Sequence, residues 1–521
     1  MTSTPTCLFY HLPYDCWLNI INRLHSNDIL ALSKTSRALH TSTNHLLYRD
    51  IKWLWKTWRG FLKRLLLLQT ILARPHLASL VRNITFLTRD QQPYLNWTKP
   101  DIPWRAQADR YKDMVAGSVD IIERAGFPDN EASDWICALQ GGETEAFIAV
   151  LISQLPGLTS LRLEWEFAGR RGYPDRMLKN ALSSDMGLLS KFSCLRLVEY
   201  GGNVRQHIGY HAEPIYEPSL VSDSYRGPHN KELYIGWFFL PFIRHLEIRL
   251  PDITLLKQKH PEELNLRHFR TLILVGATIS EHDVLFLLTQ TSSSLQNLHL
   301  GLTFKRHNRP TLKNREVLAQ ALASVRNSVE NFCMKIEYYS CCDMCEQVRR
   351  NKRRKEVSWE PVREVFKTFT KLRTLEIQMA VLFGPDPDQA DTQVALPRTL
   401  TKLCLRDDLR EPHRLKKWTH IRTTDCTHAF LNTDWRSSTP LLGYICLRLW
   451  YLDEDNEYEG YESDICEHQD NSWERLRSVC KREGIELENL DQGYPVSTGS
   501  WIPDTSWHSM APLAHPQLFS D

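Results

Sequence analysis

Leu12-Pro13-Tyr14-Asp15-Cys16-Trp17-Leu18-Asn19-Ile20-Ile21-Asn22-Arg23-Leu24, continued by Asp28-Ile29-Leu30-Ala31-Leu32-Ser33-Lys34-Thr35-Ser36-Arg37, decides how the rest of this chain is read. Pro13 presets φ for a first helical turn, where its missing N–H costs nothing. Trp17, Ile20, Ile21 and Leu24 then recur at the i, i+3, i+4, i+7 spacing of one short amphipathic helix. Ser26, Asn27 and Asp28 can cap a second helix, and Ile29, Leu30, Leu32, then Ala38, Leu39, Leu46 and Leu47, supply apolar positions for that helix and a third. Three helices in about forty residues bury too little of their own apolar surface to be stable alone. Another domain or another chain is therefore expected to cover part of them.

Leu12-Pro13, the acid at Asp15, Ile20, Leu24, Asp28-Ile29-Leu30, Leu32-Ser33, Thr35-Ser36 and Leu39, taken in order, resemble the F-box pattern, and Tyr48 and Trp53 sit where that pattern often carries aromatics. Cys16 and Trp17 depart from it, standing where aliphatics are more usual. The resemblance places a three-helix F-box at residues 8–53. It implies that Leu12, Pro13, Ile20, Leu24, Leu30 and Leu32 help form the surface that docks the Skp adaptor of cullin-based ubiquitin ligases. The competing reading is a plain helical cap whose apolar residues pack only on the rest of the chain. A docking surface of these side chains, each contributing about 1.5–3 kcal/mol on burial, would be hydrophobic and would tolerate salt.

The 521 residues, 42% hydrophobic and 24% charged, are ordinary for a globular protein and argue against a mainly disordered chain. A net charge of +2 gives no general affinity for nucleic acid. The 13 cysteines are odd in number and irregularly spaced, which argues against a disulfide framework and for a reducing compartment, cytosol or nucleus. Met1 to Tyr10 lacks the basic start and apolar core of a secretory signal, and the most apolar run, Phe61 to Leu72, is interrupted by Lys63 and Arg64 and too short for a bilayer. No membrane association is expected.

Trp53, Trp55, Trp58, Phe61, Leu62, Leu65 and Leu66 continue toward Pro75 at mixed helical spacing, which predicts a helical linker over 54–80. Beyond it, a pattern apolar-x-x-apolar-x-apolar recurs. Its copies are Val81, Ile84, Phe86; Leu158, Leu161, Leu163; Phe192, Leu195, Leu197; Ile243, Leu246, Ile248; Phe269, Leu272, Leu274; Leu295, Leu298, Leu300; Leu372, Leu375, Ile377; and Leu400, Leu403, Leu405, with Val329, Phe332, Met334 a degenerate one. The closing alternation suits a short strand with one face buried, and the segments between copies carry helical periodicity. Helices are predicted from Thr144, from a capping-box-like Ser280-Glu281-His282-Asp283, through Val317, Leu318, Ala321, Leu322 and Val325, and from Pro361.

This alternation resembles a leucine-rich-repeat solenoid, so the fold class is α/β: an N-terminal three-helix F-box followed by an irregular leucine-rich-repeat-like α/β solenoid over 81–490. The Asn or Cys usual after each strand is replaced by Glu166, Tyr200, Ala277, Thr303, Ala380 and Asp408, which removes the side-chain ladder of a regular array. A generic α/β domain with parallel strands is the alternative. Insertions are placed near 201–228, 340–358 and 383–397. Trp473, Leu476, Val479 and Cys480 fall on one helical face, Gly484-Ile485-Glu486-Leu487 reads as a C-cap leading to a closing strand, and 491–521 reads as a loosely ordered tail.

Little in the chain points to catalysis. Cys341-Cys342-Asp343-Met344-Cys345 contains a C-x-x-C, but no second pair stands at zinc-ribbon or finger spacing. Val348-Arg349-Arg350-Asn351-Lys352-Arg353-Arg354-Lys355 is a basic run of the kind that carries nuclear targeting, and it lacks the aromatic platform of a nucleic-acid site. Phosphate loops, the G-x-S-x-G elbow and the H-E-x-x-H helix are absent from the sequence. No catalytic residue, metal ligand or cofactor is assigned. The expected function is that of a non-enzymatic substrate-recognition subunit of a Skp-cullin-F-box ligase, with the repeat region binding an unidentified target protein. A protein-interaction scaffold that does not lead to ubiquitination is the alternative.

Overall fold

The computed structural model describes residues 12–21, 23–55, 59–88, 108–163, 172–183, 188–200, 235–248, 250, 252–258, 264, 266–305, 314–339, 359–407, 418–450 and 462–492. The chain falls into two compact units, Met1–Arg162 with Asn180–Leu195, and Leu163–Lys179 with Arg196–Asp521.

In the first unit α1 (Tyr14–Ile21), α2 (Ser26–Ser33) and α3 (Arg37–Arg49) lead directly into a strand, β1 (Asp50–Trp55). This corrects the helical reading of Trp53 and Trp55. Ile51 and Trp53 alternate on β1 and pair in parallel register with Ile84 and Phe86 of β2 (Asn83–Thr88), and the Trp53 and Phe86 rings stack at 4.8 Å. The linker helix, α4, runs only from Arg59 to Ala73. It packs on α5 (Lys112–Arg124) and α7 (Thr144–Ser153), which pack on each other and on α6 (Asp129–Gly141). Every residue of α7 from Glu145 to Ser153 is buried, the pattern of a helix enclosed all round. Gly142, at φ 80°, ends α6 in the left-handed conformation that a side chain would resist. No single helix among the described residues is long and apolar enough to cross a membrane.

The second unit is organised by parallel strands that succeed one another in chain order. They are β4 (Leu197–Tyr200), β5 (His245–Ile248), β6 (Thr271–Ala277), β7 (Asn297–Lys305), β8 (Asn331–Tyr339), β9 (Thr374–Gln378), β10 (Lys402–Arg406), β11 (Tyr444–Trp450) and β12 (Glu486–Gln492); β3 is Ser160–Leu163. Their register stacks the repeated pattern on itself. Leu246, Leu272, Leu298, Phe332, Leu375, Leu403 and Ile445 form one column, and Ile248, Leu274, Leu300, Met334, Ile377, Leu405 and Leu447 form the next. Ile243, Phe269, Leu295, Val329, Leu372, Leu400 and Leu442 precede the first column by three residues and are equally buried. Helices α8 (Glu281–Thr291), α9 (Arg315–Ser324) and α10 (Glu360–Phe366) pack successively, as do α11 (His420–Leu431) and α12 (Glu462–Glu483).

A backbone device repeats with the strands. Two successive N–H groups at the start of a repeat donate to one carbonyl of the preceding repeat: Arg244 and His245 to Arg196, Arg270 and Thr271 to Arg244, Gln296 and Asn297 to Arg270, Glu330 and Asn331 to Gln296, and Arg373 and Thr374 to Glu330. These bonds give the backbone N–H groups at the strand starts a partner, whereas the positions of the missing Asn or Cys lie toward the strands' other end. Tyr200, Ala277, Thr303 and Ala380, which stand in those places, are themselves buried. A short side-chain ladder sits at the same end of the strands as the carbonyl clamp, where Asn297 Nδ2 donates to Thr271 Oγ1 at 2.9 Å and Asn331 Nδ2 to Asn297 Oδ1 at 2.8 Å.

Three further expectations are corrected. The copy expected at Phe192, Leu195, Leu197 is Leu195, Val198, Tyr200: β4 starts at Leu197, and Val198, not Leu197, pairs with Leu246. Leu442, Ile445 and Leu447 are a further copy, additional to those named from the sequence, and carry β11. The strands of the second unit also bury more than one face, since β5 and β9 are buried at every residue. Parallel strands commonly do so. Within 383–397, Phe383, Val394 and Leu396 are buried, so this insertion is anchored to the unit. The expectations for 201–228, for 340–358 with its C-x-x-C and basic run, and for the tail beyond 492 lie outside the described residues.

Candidate functional site

The Pro13 carbonyl accepts from Trp17 N at 3.0 Å, so Pro13 stands just before α1. The apolar set of α1 then divides. Trp17 and Ile21, one turn apart, point inward and are buried, whereas Ile20 is 42% exposed. Leu12 before the helix is 38% exposed, and Pro13 is exposed too. The hydrogen-bonding side chain expected at the start of α2 is not used: His25 is the N-cap and makes no side-chain cap bond, while Asp28 lies in the first turn, where its charge suits the helix dipole. Leu30 of α2 is 44% exposed, and Leu24 and Leu32 are half-buried.

Other bonds fix the scaffold that presents these side chains. Ser36 Oγ caps α3 by accepting from Leu39 N at 3.1 Å, and Ser33 Oγ donates to Leu30 O at 2.7 Å. α2 packs on α3, and α3 on β1. Leu39 and Thr43 face inward on α3, with Thr43 Oγ1 donating to Leu39 O at 2.7 Å. The helices are thus held from the Thr43 side, and Leu12, Pro13, Ile20 and Leu30 are left to water. Among the described residues the large exposed hydrophobics are Leu12, Ile20, Leu30, Leu66, Phe242 and Leu441. Half of these belong to this short segment.

Leu12, Pro13, Ile20 and Leu30 make this an apolar arrangement facing water. Exposed apolar clusters commonly mark interaction surfaces. The family described as the F-box domain matches this chain over residues 9–49, and no curated protein matches it. The chain thus joins an N-terminal F-box helical region to a mixed helix and strand structure built on parallel strands. F-box domains generally bind the Skp adaptor within cullin complexes.

Sequence reasoning missed the charges on the strands of the second unit. Register places Glu199, Glu247, Ile273, His299, Cys333, Glu376, Cys404, Cys446 and Glu488 in one row. Within that row, Glu376 pairs with Arg406 and, at 3.5 Å, with Arg448. Gln378 uses its amide as a strand would, accepting from Ile336 N and donating to Ile336 O, both at 2.9 Å. The signal was the alternation itself: Thr374-Leu375-Glu376-Ile377-Gln378 and Lys402-Leu403-Cys404-Leu405-Arg406 carry their polar side chains at every second position.

Proposed function

We propose that this chain is a substrate-recognition subunit of a Skp-cullin-F-box type ubiquitin ligase. The F-box docks the adaptor through Leu12, Pro13, Ile20, Leu24, Leu30 and Leu32, and the remainder, an irregular leucine-rich-repeat-like solenoid, captures a target protein. The chain supplies proximity and no catalysis of its own: holding a target lysine near a charged ubiquitin-conjugating enzyme raises its effective concentration. The single observation that carries this reading is the exposure of Leu12, Ile20 and Leu30 within the segment that matches the F-box family. The chain-order strands, their stacked apolar columns and the repeated carbonyl clamp support the repeat reading. Because β5 and β9 are buried on both faces, target capture falls to the connecting segments more than to these strands.

Co-expression with a Skp-family adaptor and a cullin tests it. The native chain should retain both partners through a high-salt wash. Ile20→Asp combined with Leu30→Asp should lose the adaptor while keeping the native melting temperature, since both positions face water; Leu441→Asp, also exposed but outside the F-box, should retain it. A native chain that never captures the adaptor would sink the reading. Capture of adaptor without cullin would leave the scaffold reading in its place.

A further inference from the structure

We propose that Glu199, His245 and Glu247 form a binding site for a divalent transition-metal ion of the zinc or manganese class. Among the described residues this is where three ligand-bearing side chains converge, one imidazole and two carboxylates whose donor atoms all lie within 4.8 Å of one another. The convergence follows from the strand register. Glu199 on β4 and Glu247 on β5 are direct partners in a parallel pair, so their side chains leave the sheet side by side on one face. His245 is two residues before Glu247 and shares that face.

Burial makes the grouping costly unless its charge is compensated by a proton, a neighbouring cation or a bound metal ion. All three residues are buried, Glu247 almost completely. Two carboxylates brought together away from water repel each other, and either a proton or a positive charge must relieve them. Each of the three takes part in an interaction in the folded chain, so it is donor geometry, not unmet hydrogen-bonding capacity, that points to an ion. Metal–ligand bonds of about 2.0–2.2 Å set donors roughly 3–3.5 Å apart, a distance reachable by small side-chain rotations from the spacing seen here. An imidazole among the donors selects a transition metal over calcium or magnesium, which prefer oxygen alone. Three protein ligands leave at least one coordination position for water or for a group on a partner. The site lies within the second unit and does not depend on adaptor docking.

The full-length protein, purified without chelator, should carry about one zinc or manganese ion per chain by elemental mass spectrometry. After stripping with EDTA, titrated ZnCl2 or MnCl2 should raise the melting temperature in a concentration-dependent way. Glu247→Gln and His245→Gln should each weaken that response at least about tenfold, whereas Cys341→Ser with Cys345→Ser should leave it unchanged. Cobalt substitution of the native chain gives a readout that needs no variant: visible bands of nitrogen and oxygen ligation without the intense thiolate charge-transfer band. A native chain that holds no metal and whose melting temperature no divalent ion moves overturns the proposal. A thiolate band, or metal lost with the cysteine pair, overturns it in favour of the C-x-x-C.

Discussion

Glu376 is held between Arg406 and Arg448 on neighbouring strands. Burial pushes its carboxyl up, but the two guanidiniums outweigh that and hold it below the ordinary carboxylate range. Replacing it by Gln would leave two cations buried with one partner removed, which should cost about 3–5 kcal/mol, read as a fall in the urea midpoint. Because the folded pKa is the lower one, the stabilisation is present above the unfolded value and is lost as pH falls through the folded value. His299 behaves in the opposite chemical sense with the same direction in pH. Burial drives its imidazole from 6.5 down to about 3. Below pH 6.5 the unfolded chain takes up a proton that the folded chain refuses until about pH 3, so stability should decline on acidification across that window. The slope approaches about 1.4 kcal/mol per pH unit. Urea midpoints measured near neutrality and again well below the unfolded histidine value should differ in the native chain, and His299→Gln should flatten the difference. Asp175, raised by burial and partly lowered by Tyr200 Oη, which donates to it at 2.7 Å, strains the other way: its contribution weakens as pH rises.

Among the helices and strands, two devices can be removed singly. Ser280 and Asp283 form a reciprocal capping box at the start of α8, with Ser280 Oγ accepting from Asp283 N and Asp283 Oδ2 accepting from Ser280 N at 2.9 Å. Ser280→Ala should cost about 1 kcal/mol, seen as a lower melting temperature without change in adaptor capture. Gly301 on β7 is a packing requirement of another kind. The β6–β7 register shifts between Leu274 and Ala277, and a Cβ on residue 301 would lie 2.7 Å from the Leu274 carbonyl oxygen. Backbone cannot retreat as a side-chain tip can, so Gly301→Ala should destabilise by about 1–3 kcal/mol. Ala in place of Gly443, which has open space about its Cβ direction, is the control expected to change little.

For the molecule as a whole, the proposed adaptor contact and the strand unit should fail separately. Ile20 and Ile21 are neighbours on α1 with opposite fates, one exposed and one fully buried. Ile21→Asp should lower the melting temperature together with adaptor capture, whereas Ile20→Asp should lower capture alone. A contact made by aliphatic side chains should also persist at about 1 M salt, where screening shortens to about 3 Å. Loss of capture between low and high salt would point to charge instead.

How much of this was legible differs from place to place. The helices at the N-terminus, the strand at nearly every apolar-x-x-apolar-x-apolar copy and the capping box at Ser280 were written in local periodicity and capping chemistry, which act over a few residues. Periodicity could not tell that Trp53 and Trp55 belong to a strand, because their register partners, Phe86 and Thr88, lie more than thirty residues away. It could not choose between Leu197 and Val198, since adjacent apolar residues satisfy either register until Leu246 pairs with one of them. Nor could it divide the apolar positions of α1 into Ile21 for the core and Ile20 for water. Amino-acid order alone was enough to mark most helices and strands and the F-box pattern at the front. Which faces those segments bury, and which distant acids and histidine, Glu199, Glu247 and His245, end side by side, emerged with the folded chain. Local propensity is a property of neighbours in the chain; burial and convergence depend on strand pairings between residues far apart in it.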